Sequence, residues 1–189
     1  MIPSREWTLG LMHEKSMPPH IIRHSKTVRL AAVCVAALLK KAGFRIDRRL
    51  VDRAALLHDI CKAESLLKGG DHALMGRRLM EKLGYPRIGE IVGQHIRLES
   101  LEVNEAMVVN YADKRIMHDR VVSLQKRFID LMDRYGKNEQ SMQRILKHYE
   151  DASEVEQILV RSSGFEPERL NHLNLITGDH ALNGGEGLL

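Results

Sequence analysis

The amino-acid sequence predicts an all-α protein, and three observations support this prediction. Apolar residues recur at helical spacing along nearly the whole chain, and no segment shows the apolar–polar alternation that is typical of a half-buried strand. Proline and glycine lie where helices would begin and end. With 189 residues, of which 43% are hydrophobic, the chain is long enough for one domain with a buried core.

We predict six helices, over residues 18–41, 47–58, 71–83, 86–95, from between 100 and 104 to as far as 134, and 138–162. Pro18 precedes the first helix and Gly43 follows it, which is the usual arrangement at helix ends. Asp47 is a suitable N-cap for the second helix, and the glycine pair at 69–70 separates it from the third. Pro86 begins the fourth helix.

The last predicted helix carries six apolar residues at helical spacing: Met142, Ile145, Tyr149, Ala152, Val155 and Leu159. The segment from Gly178 is rich in glycine, and we expect it to be loosely held. We therefore predict one helical domain over residues 18–135. Residues 136–189 would form a helical C-terminal extension and a glycine-rich tail.

The composition favours a cytoplasmic protein. The longest apolar run, residues 30–39, has ten residues and is too short to cross a bilayer. The beginning of the chain lacks the apolar core of a signal peptide. The two cysteines, Cys34 and Cys61, lie in predicted helices, which favours reduced thiols. We expect neither a membrane protein nor a secreted, disulfide-stabilised one.

The net charge of +4 is unevenly distributed. Residues 1–99 hold 18 Lys and Arg against 10 Asp and Glu, whereas residues 100–189 hold 11 against 15. The basic half would suit a nucleic acid or a small phosphate compound, but charge alone favours an ordinary solvated surface. Because aromatic residues make up only 4% of the chain, stacking of nucleic-acid bases is not favoured. Charge alone is therefore only a hint of an anionic partner.

Five of the predicted helices place histidines or carboxylates in line with apolar residues, namely His24, His58 with Asp59, His72, His95 and Asp113. A single histidine in such a position is most simply a hydrogen-bonded core residue. An unpaired buried carboxylate, however, costs several kcal/mol of folding free energy. Four neutral imidazoles cannot balance two carboxylates, whereas a divalent cation can. Together these residues predict a metal site.

The predicted ligands are four imidazoles and two carboxylates, without a thiolate. This set suits manganese, iron, cobalt, nickel or zinc. Six protein ligands are too many for one catalytic metal that keeps an open position. They fit two metals that share a carboxylate. We therefore expect two divalent transition-metal ions per chain.

Three motifs carry a family resemblance: His24, the His58-Asp59 pair within LLHDICK, and Asp113 within YADK. From about residue 20 to residue 127 the chain resembles the HD superfamily of metal-dependent phosphohydrolases. The resemblance implies an HD-domain helical bundle of five core helices. It also implies that the four motif residues bind one metal, and that this metal activates a water molecule for attack on phosphorus.

The positions of His72 and His95 make the site similar to that of bacterial HD enzymes that split diadenosine tetraphosphate symmetrically. This similarity implies that Asp59 bridges to a second metal held by the two histidines. The chain differs from those enzymes in a shorter segment between Asp59 and His72. It also lacks a Gly-Arg-Pro loop in IRLES, which follows His95.

Asp59 and Lys62 are the predicted catalytic residues. Lys62 lies one helical turn after His58 and is predicted to contact a phosphoryl oxygen, although a surface lysine at a helix end would look the same. Arg97, two residues after His95, is a second candidate for binding the phosphate of the substrate.

The resemblance implies a phosphohydrolase that cleaves a phosphate ester or anhydride of a nucleotide or dinucleotide at a dinuclear site. Two alternatives stay open: a mononuclear HD nucleotidase, and an HD module that binds a nucleotide without cleaving it. The amphipathic pattern after Gly136 would suit a cover over the site, a homodimer interface or a contact with another protein.

Overall fold

The computed structural model describes residues 1–176, so the predicted glycine-rich tail from Gly178 lies outside the described residues. The α-helices of the described part are α1 (Arg5–Glu14), α2 (Pro19–Lys41), α3 (Arg48–Leu57), α4 (Lys62–Lys68), α5 (His72–Lys82), α6 (Pro86–Gly93), α7 (Glu105–Lys114), α8 (Leu124–Tyr135), α9 (Glu139–Ser163) and α10 (Leu173–Ile176). Strands β1 (Ile116–Met117) and β2 (Arg120–Val121) form an antiparallel hairpin, and a 3-10 helix covers Pro167–His172.

Five helices form the centre of the fold, which confirms the predicted all-α bundle. Helix α2 packs along α3 and α7, helix α5 packs against α6, and α6 also contacts α3 and α7. Their apolar faces join in one core, in which Val28, Val51 and Val108 have no exposed surface. None of the described helices is long and apolar enough to span a membrane.

The N-terminal caps of α3 and α5 were predictable from single aspartates. The Asp47 carboxylate accepts hydrogen bonds from the backbone N–H groups of Arg49 and Leu50. Asp71 does the same for Ala73 at the start of α5. Each aspartate satisfies N–H groups that have no partner within the helix.

The predicted fifth helix is wrong as a continuous element. Helix α7 ends at Lys114, the hairpin follows, and α8 begins only at Leu124. In the turn of the hairpin, His118 has φ of 58°, a left-handed conformation that a helix cannot contain. The side chain of Ser123 then caps α8 by accepting a hydrogen bond from the backbone N–H of Lys126. Ser123 is the sequence signal that marks the new helix.

Three of the described α-helices, α1, α4 and α10, escaped prediction, and one helix ended early. Helix α1 is capped by Ser4 and packs on α3. None of the described side chains of α4 is buried, so this helix has no apolar stripe to reveal it. Helix α6 ends at Gly93 instead of continuing to His95.

A buried arginine joins the C-terminal helix α9 to the rest of the fold. Arg115, with 2% of its surface exposed, donates hydrogen bonds to Tyr111, Glu156 and the carbonyl oxygens of Val122 and Pro167. Helix α9 also packs along α8, α2 and α7. The division of the chain at residue 135 remains a prediction.

Candidate metal centre

The six predicted ligand side chains converge from five parts of the fold. They form two groups of three: a first group of His24, His58 and Asp113, and a second group of Asp59, His72 and His95. Within each group the nitrogen and oxygen atoms that could bind a metal all lie within 4.8 Å of one another. The core helices therefore bring together residues that lie up to 89 positions apart in the sequence.

Two of the histidines lie just beyond the ends of helices. His58 follows α3, and its Nδ1 is 2.8 Å from the carbonyl oxygen of Ala55. His95 follows α6, and its Nδ1 is 2.7 Å from the carbonyl oxygen of Val92. Since a carbonyl oxygen only accepts hydrogen bonds, Nδ1 must carry the proton in both rings. When the ring is neutral, its Nε2 then carries a free lone pair that faces the site.

His24 is oriented in the same way by the hairpin. Its Nδ1 donates to the carbonyl oxygen of His118, at 2.7 Å. The His118 side chain is exposed, so this residue contributes to the site through its backbone alone. The hairpin that the sequence did not predict thus fixes the ring of a candidate ligand.

The first group has the spacing of ligands around one ion. Oδ1 of Asp113 lies 3.0 Å from Nε2 of His24 and 3.4 Å from Nε2 of His58. Two donor atoms that each lie about 2.1 Å from one cation are roughly 3.0 to 3.4 Å apart at octahedral or tetrahedral angles. The measured separations therefore fit a shared metal.

The second group is similar in size. Oδ1 of Asp59 lies 3.2 Å from Nε2 of His72 and 3.6 Å from Nε2 of His95. The two imidazole Nε2 atoms are 3.2 Å apart. His72 is the first residue of α5, so the start of this helix contributes to the group.

Asp59 lies between the two groups. While Oδ1 faces the second group, Oδ2 lies 3.5 Å from Nε2 of His58 in the first. Oδ2 also accepts a hydrogen bond from Nζ of Lys62, at 2.7 Å. The residue has only 2% of its surface exposed. One buried carboxylate can therefore reach both groups.

Two buried atoms of the site have no hydrogen-bond partner among the described residues. They are Nε2 of His58 and Oδ1 of Asp59. Buried polar atoms are almost always satisfied, because each unsatisfied one costs about 1–3 kcal/mol. A cation in each group would bind these atoms, so the residues present fit a divalent metal.

The charges of the site are strongly coupled. Burial lowers the pKa of His58, but the carboxylates of Asp59 and Asp113 outweigh burial and raise this pKa to about 10. Burial alone would raise the pKa of both aspartates. The neighbouring histidines, His58 above all for Asp59, hold these pKa values well below the usual range. In the metal-free protein His58 is therefore the proton-bearing partner of two carboxylates.

Three cations surround the site. Nζ of Lys114 donates to the carbonyl oxygen of His95 at 2.9 Å, and burial lowers the pKa of Lys114 to about 8. Burial lowers the pKa of Lys62 as well, but Asp59 and Asp113 outweigh burial and raise it. Arg127, on α8, lies close enough for its charge to act on both lysines. Sequence reasoning missed Arg127, since no motif contains it.

Arg97 takes a different place from the other predicted residues. Its side chain is exposed, and none of the described polar contacts joins it to either group of ligands. It lines a cleft next to the second group together with Lys114 and residues of α9. If Arg97 binds a phosphate as predicted, the phosphate would lie in that cleft.

Comparison with known proteins shows a similarity of fold to a solved structure and similarities of sequence to curated proteins. A crystal structure of a predicted HD superfamily hydrolase from an uncultured Thermotogales bacterium aligns with 85% of this chain and 93% of its own, with a TM-score of 0.50 and 22% identity. The likeness to that structure concerns the fold.

Among curated sequences, the tRNA (cytidine(56)-2'-O)-methyltransferase of Picrophilus torridus is 31% identical over 173 residues, covering 82% of this chain and 48% of the relative. The enzyme of the same name from Thermoplasma volcanium is 29% identical with the same coverage. Ribonuclease Y of Desulforudis audaxviator is 33% identical over 104 residues, which are 54% of this chain and 19% of that protein. The chain thus spans about half the length, or less, of these relatives.

A sequence model of the HD domain matches residues 21–138, which is more than half of the chain. This segment contains both groups of candidate ligands and the five core helices. The helical architecture, the buried His-Asp pair and this match lead to one conclusion: the chain belongs to the HD domain family.

Proposed function

We propose that this protein is a dinuclear metal-dependent phosphohydrolase that cleaves a phosphate ester or anhydride of a nucleotide. The observation that carries this proposal is the position of Asp59 between two groups of candidate ligands. Because its two oxygens face different groups, one carboxylate can serve two cations. Its buried Oδ1 has no other partner among the described residues.

The first group, His24, His58 and Asp113, would hold one divalent transition-metal ion. His72 and His95 would hold the second, and Asp59 would bridge them. A divalent cation bound in such a site lowers the pKa of bound water and offsets negative charge on phosphoryl oxygens. The backbone carbonyls that hold Nδ1 of His58 and His95 keep the nitrogens that would bind metal pointed at the site.

Lys62 and Arg127 would act on the phosphoryl group. Negative charge on the non-bridging oxygens must be stabilised while phosphorus is attacked, and nearby fixed cations do this best where water is excluded. Lys62 keeps its positive charge at neutral pH because the adjacent carboxylates raise its pKa. Its hydrogen bond to Asp59 holds this charge beside the carboxylate that would bridge the two metals.

The substrate would be a small phosphorylated compound. Assays must determine which kind of phosphate bond is cleaved. The partial similarity to ribonuclease Y makes a phosphodiester a substrate worth testing beside phosphoanhydrides. The matched part of the tRNA methyltransferases is about half of each protein, so their printed activity need not lie in that half.

The proposal is tested by metal content and hydrolysis in the same preparations. Elemental analysis of the wild type, His72→Ala and His95→Ala should give two metals per chain in the wild type and about one in each variant. His13→Ala removes an exposed histidine on α1 and serves as the matched control. Hydrolysis of bis(p-nitrophenyl) phosphate and of diadenosine tetraphosphate should fall together with the second metal.

One metal in all of these proteins would favour a mononuclear nucleotidase instead. No metal after reconstitution, together with no hydrolysis, would overturn the proposed function.

A further inference from the structure

A cleft of about 230 Å³ lies beside the second group of ligands, and nothing in the HD motif accounts for it. The segment after α6 forms one wall and α9 forms the other, while Asn110 and Lys114 of α7 lie at its base. We call it the distal cleft. Its α9 wall lies outside residues 21–138, which match the HD domain, so this wall is a feature of the C-terminal extension.

The distal cleft is joined to the candidate metal centre through one residue. The carbonyl oxygen of His95 accepts hydrogen bonds from Nζ of Lys114 at 2.9 Å and from Nδ2 of Asn110 at 3.1 Å. Both donors also line the cleft. Lys114 interacts electrostatically with Asp113 of the centre and with Asp151 of α9, so it lies between the two.

Basic side chains from all three parts of the cleft face one another. They are Arg97, Lys114, Lys147 and His148, against two acidic residues, Asp151 and Glu154. Nζ of Lys147 lies 3.0 Å from Oδ1 of Asp151. Burial is the largest cause that lowers the pKa of His148, and the charges of Lys114 and Arg97 lower this pKa further. An anion held among these groups would relieve their mutual repulsion.

Apart from Asn110, the remaining lining residues are apolar. Leu101 leaves 47% of its surface exposed although it is a large hydrophobic residue, and Ile96 and Leu98 continue the same wall. Ala152 and Val155 of α9 line the other side of the cleft, although both are almost fully buried. An exposed apolar side chain beside convergent basic groups is chemistry that recognises a nucleotide, with its base against Leu101 and its phosphate near the basic side chains.

We propose that the distal cleft binds a second nucleotide unit of the substrate, next to the phosphate that is cleaved at the metal centre. This inference rests on the proposed function and deepens it. The C-terminal extension then selects substrates that carry two nucleotide units, and single mononucleotides fill only one of the two places.

Photolabelling of the metal-loaded full-length protein tests the cleft directly. The probe is 8-azidoadenosine 5'-monophosphate, and labelled peptides are identified by mass spectrometry. The expected result is a label on residues 96–101 or 147–155 that AMP and inorganic phosphate both displace. A label confined to other segments would overturn the proposal.

Two variants separate the two kinds of contact. The double change Lys147→Ala with His148→Ala should raise the probe concentration for half-maximal labelling roughly tenfold, because charge-assisted bonds to the phosphate are lost. Leu101→Ser should weaken labelling and leave displacement by inorganic phosphate intact. Lys82→Ala, an exposed lysine on α5, is the control and should change neither. Equal labelling of all variants would overturn the proposal.

Hydrolysis is measured in the same samples to keep the two proposals apart. Labelling of the cleft without hydrolysis would support the nucleotide site and overturn the proposed function. Hydrolysis without labelling of the cleft would overturn the nucleotide site alone.

Discussion

At the scale of a single residue, the position of Asp59 distinguishes the His58-Asp59 pair from an ordinary His-Asp dipeptide. His58 and Asp59 are consecutive, yet the histidine belongs to one group of ligands and the aspartate also reaches the other. They lie in the turn between α3 and α4, where consecutive side chains can diverge. A second His-Asp pair, His118-Asp119, lies in the hairpin turn and shows that the dipeptide alone makes no site.

Asp59→Asn should lower kcat/KM for bis(p-nitrophenyl) phosphate at least about a hundredfold, because an amide replaces the bridging charge without changing the shape. The matched control is Asp119→Asn, the other aspartate that follows a histidine. Asp119 is half exposed and lies 3.6 Å from Arg23, so its loss should leave the rate nearly unchanged. Equal rates for the Asp59 variant and the wild type would contradict the bridging role.

The raised pKa of His58 predicts how the stability of the metal-free protein depends on pH. In the unfolded chain this pKa is near 6.5, and in the folded metal-free protein it is about 10. The charged imidazole therefore stabilises the fold fully below pH 6.5, and this contribution is lost as pH rises toward 10. Between pH 6.5 and 8 the melting temperature of EDTA-treated protein should fall.

The same scan on His58→Gln should be flatter. Lys114, whose pKa is lowered to about 8, contributes in the opposite direction only above that value, so the chosen range avoids it. A wild-type curve as flat as that of the variant would rule out this account of His58.

At the scale of elements, the close packing of α5 on α6 sets the second group of ligands. His72 begins α5 and His95 follows α6, so the spacing of these helices determines the distance between the two rings. Gly89 makes this spacing possible: a Cβ at this position would lie 2.8 Å from the backbone carbonyl oxygen of Arg77. A backbone atom cannot move away as the end of a side chain can.

Gly89→Ala should destabilise the protein by about 1–3 kcal/mol and reduce its metal content toward one ion per chain, because α5 and α6 are forced apart. The control is Gly10→Ala in α1, where a Cβ meets nothing within 4 Å and the helix should gain slightly. Urea denaturation and elemental analysis measure the two effects. A stable Gly89 variant with full metal content would show that the spacing is not critical.

The hairpin shows why the elements could be predicted only in part. Ile116, Val121 and Val122 are apolar at positions that also suit a helix, so periodicity favours one long element from between 100 and 104 to as far as 134. The turn at His118 is stabilised by contacts distant in sequence, including the bond from His24. Local patterns do not contain such contacts. Helix α4 was missed for the opposite reason, since it buries nothing that periodicity could detect.

At the scale of the whole molecule, Arg115 connects the HD domain to the C-terminal extension. Its guanidinium reaches Glu156 of α9 and the carbonyl oxygen of Pro167 beyond it. The distal cleft depends on this connection, because α9 forms one of its walls.

Arg115→Ala should destabilise the protein by about 3–5 kcal/mol in urea denaturation, because the buried partners of the guanidinium lose their hydrogen bonds. Arg169→Ala removes an arginine whose ion pair with Glu166 is largely exposed, and should cost less than about 1 kcal/mol. Similar losses for the two variants would show that Arg115 does not hold the extension in place.

The sequence by itself determined the helical class, most helix ends and the choice of candidate ligands, because helix periodicity and capping are local and ionisable residues stand out on apolar faces. Only the tertiary structure decided that the two oxygens of Asp59 face different groups of candidate ligands, that the charge of Arg127 acts on Lys62, and that α9 forms a cleft with Arg97. These arrangements depend on which helix faces meet. Residues far apart in the chain decide this together, through the packing of one shared core.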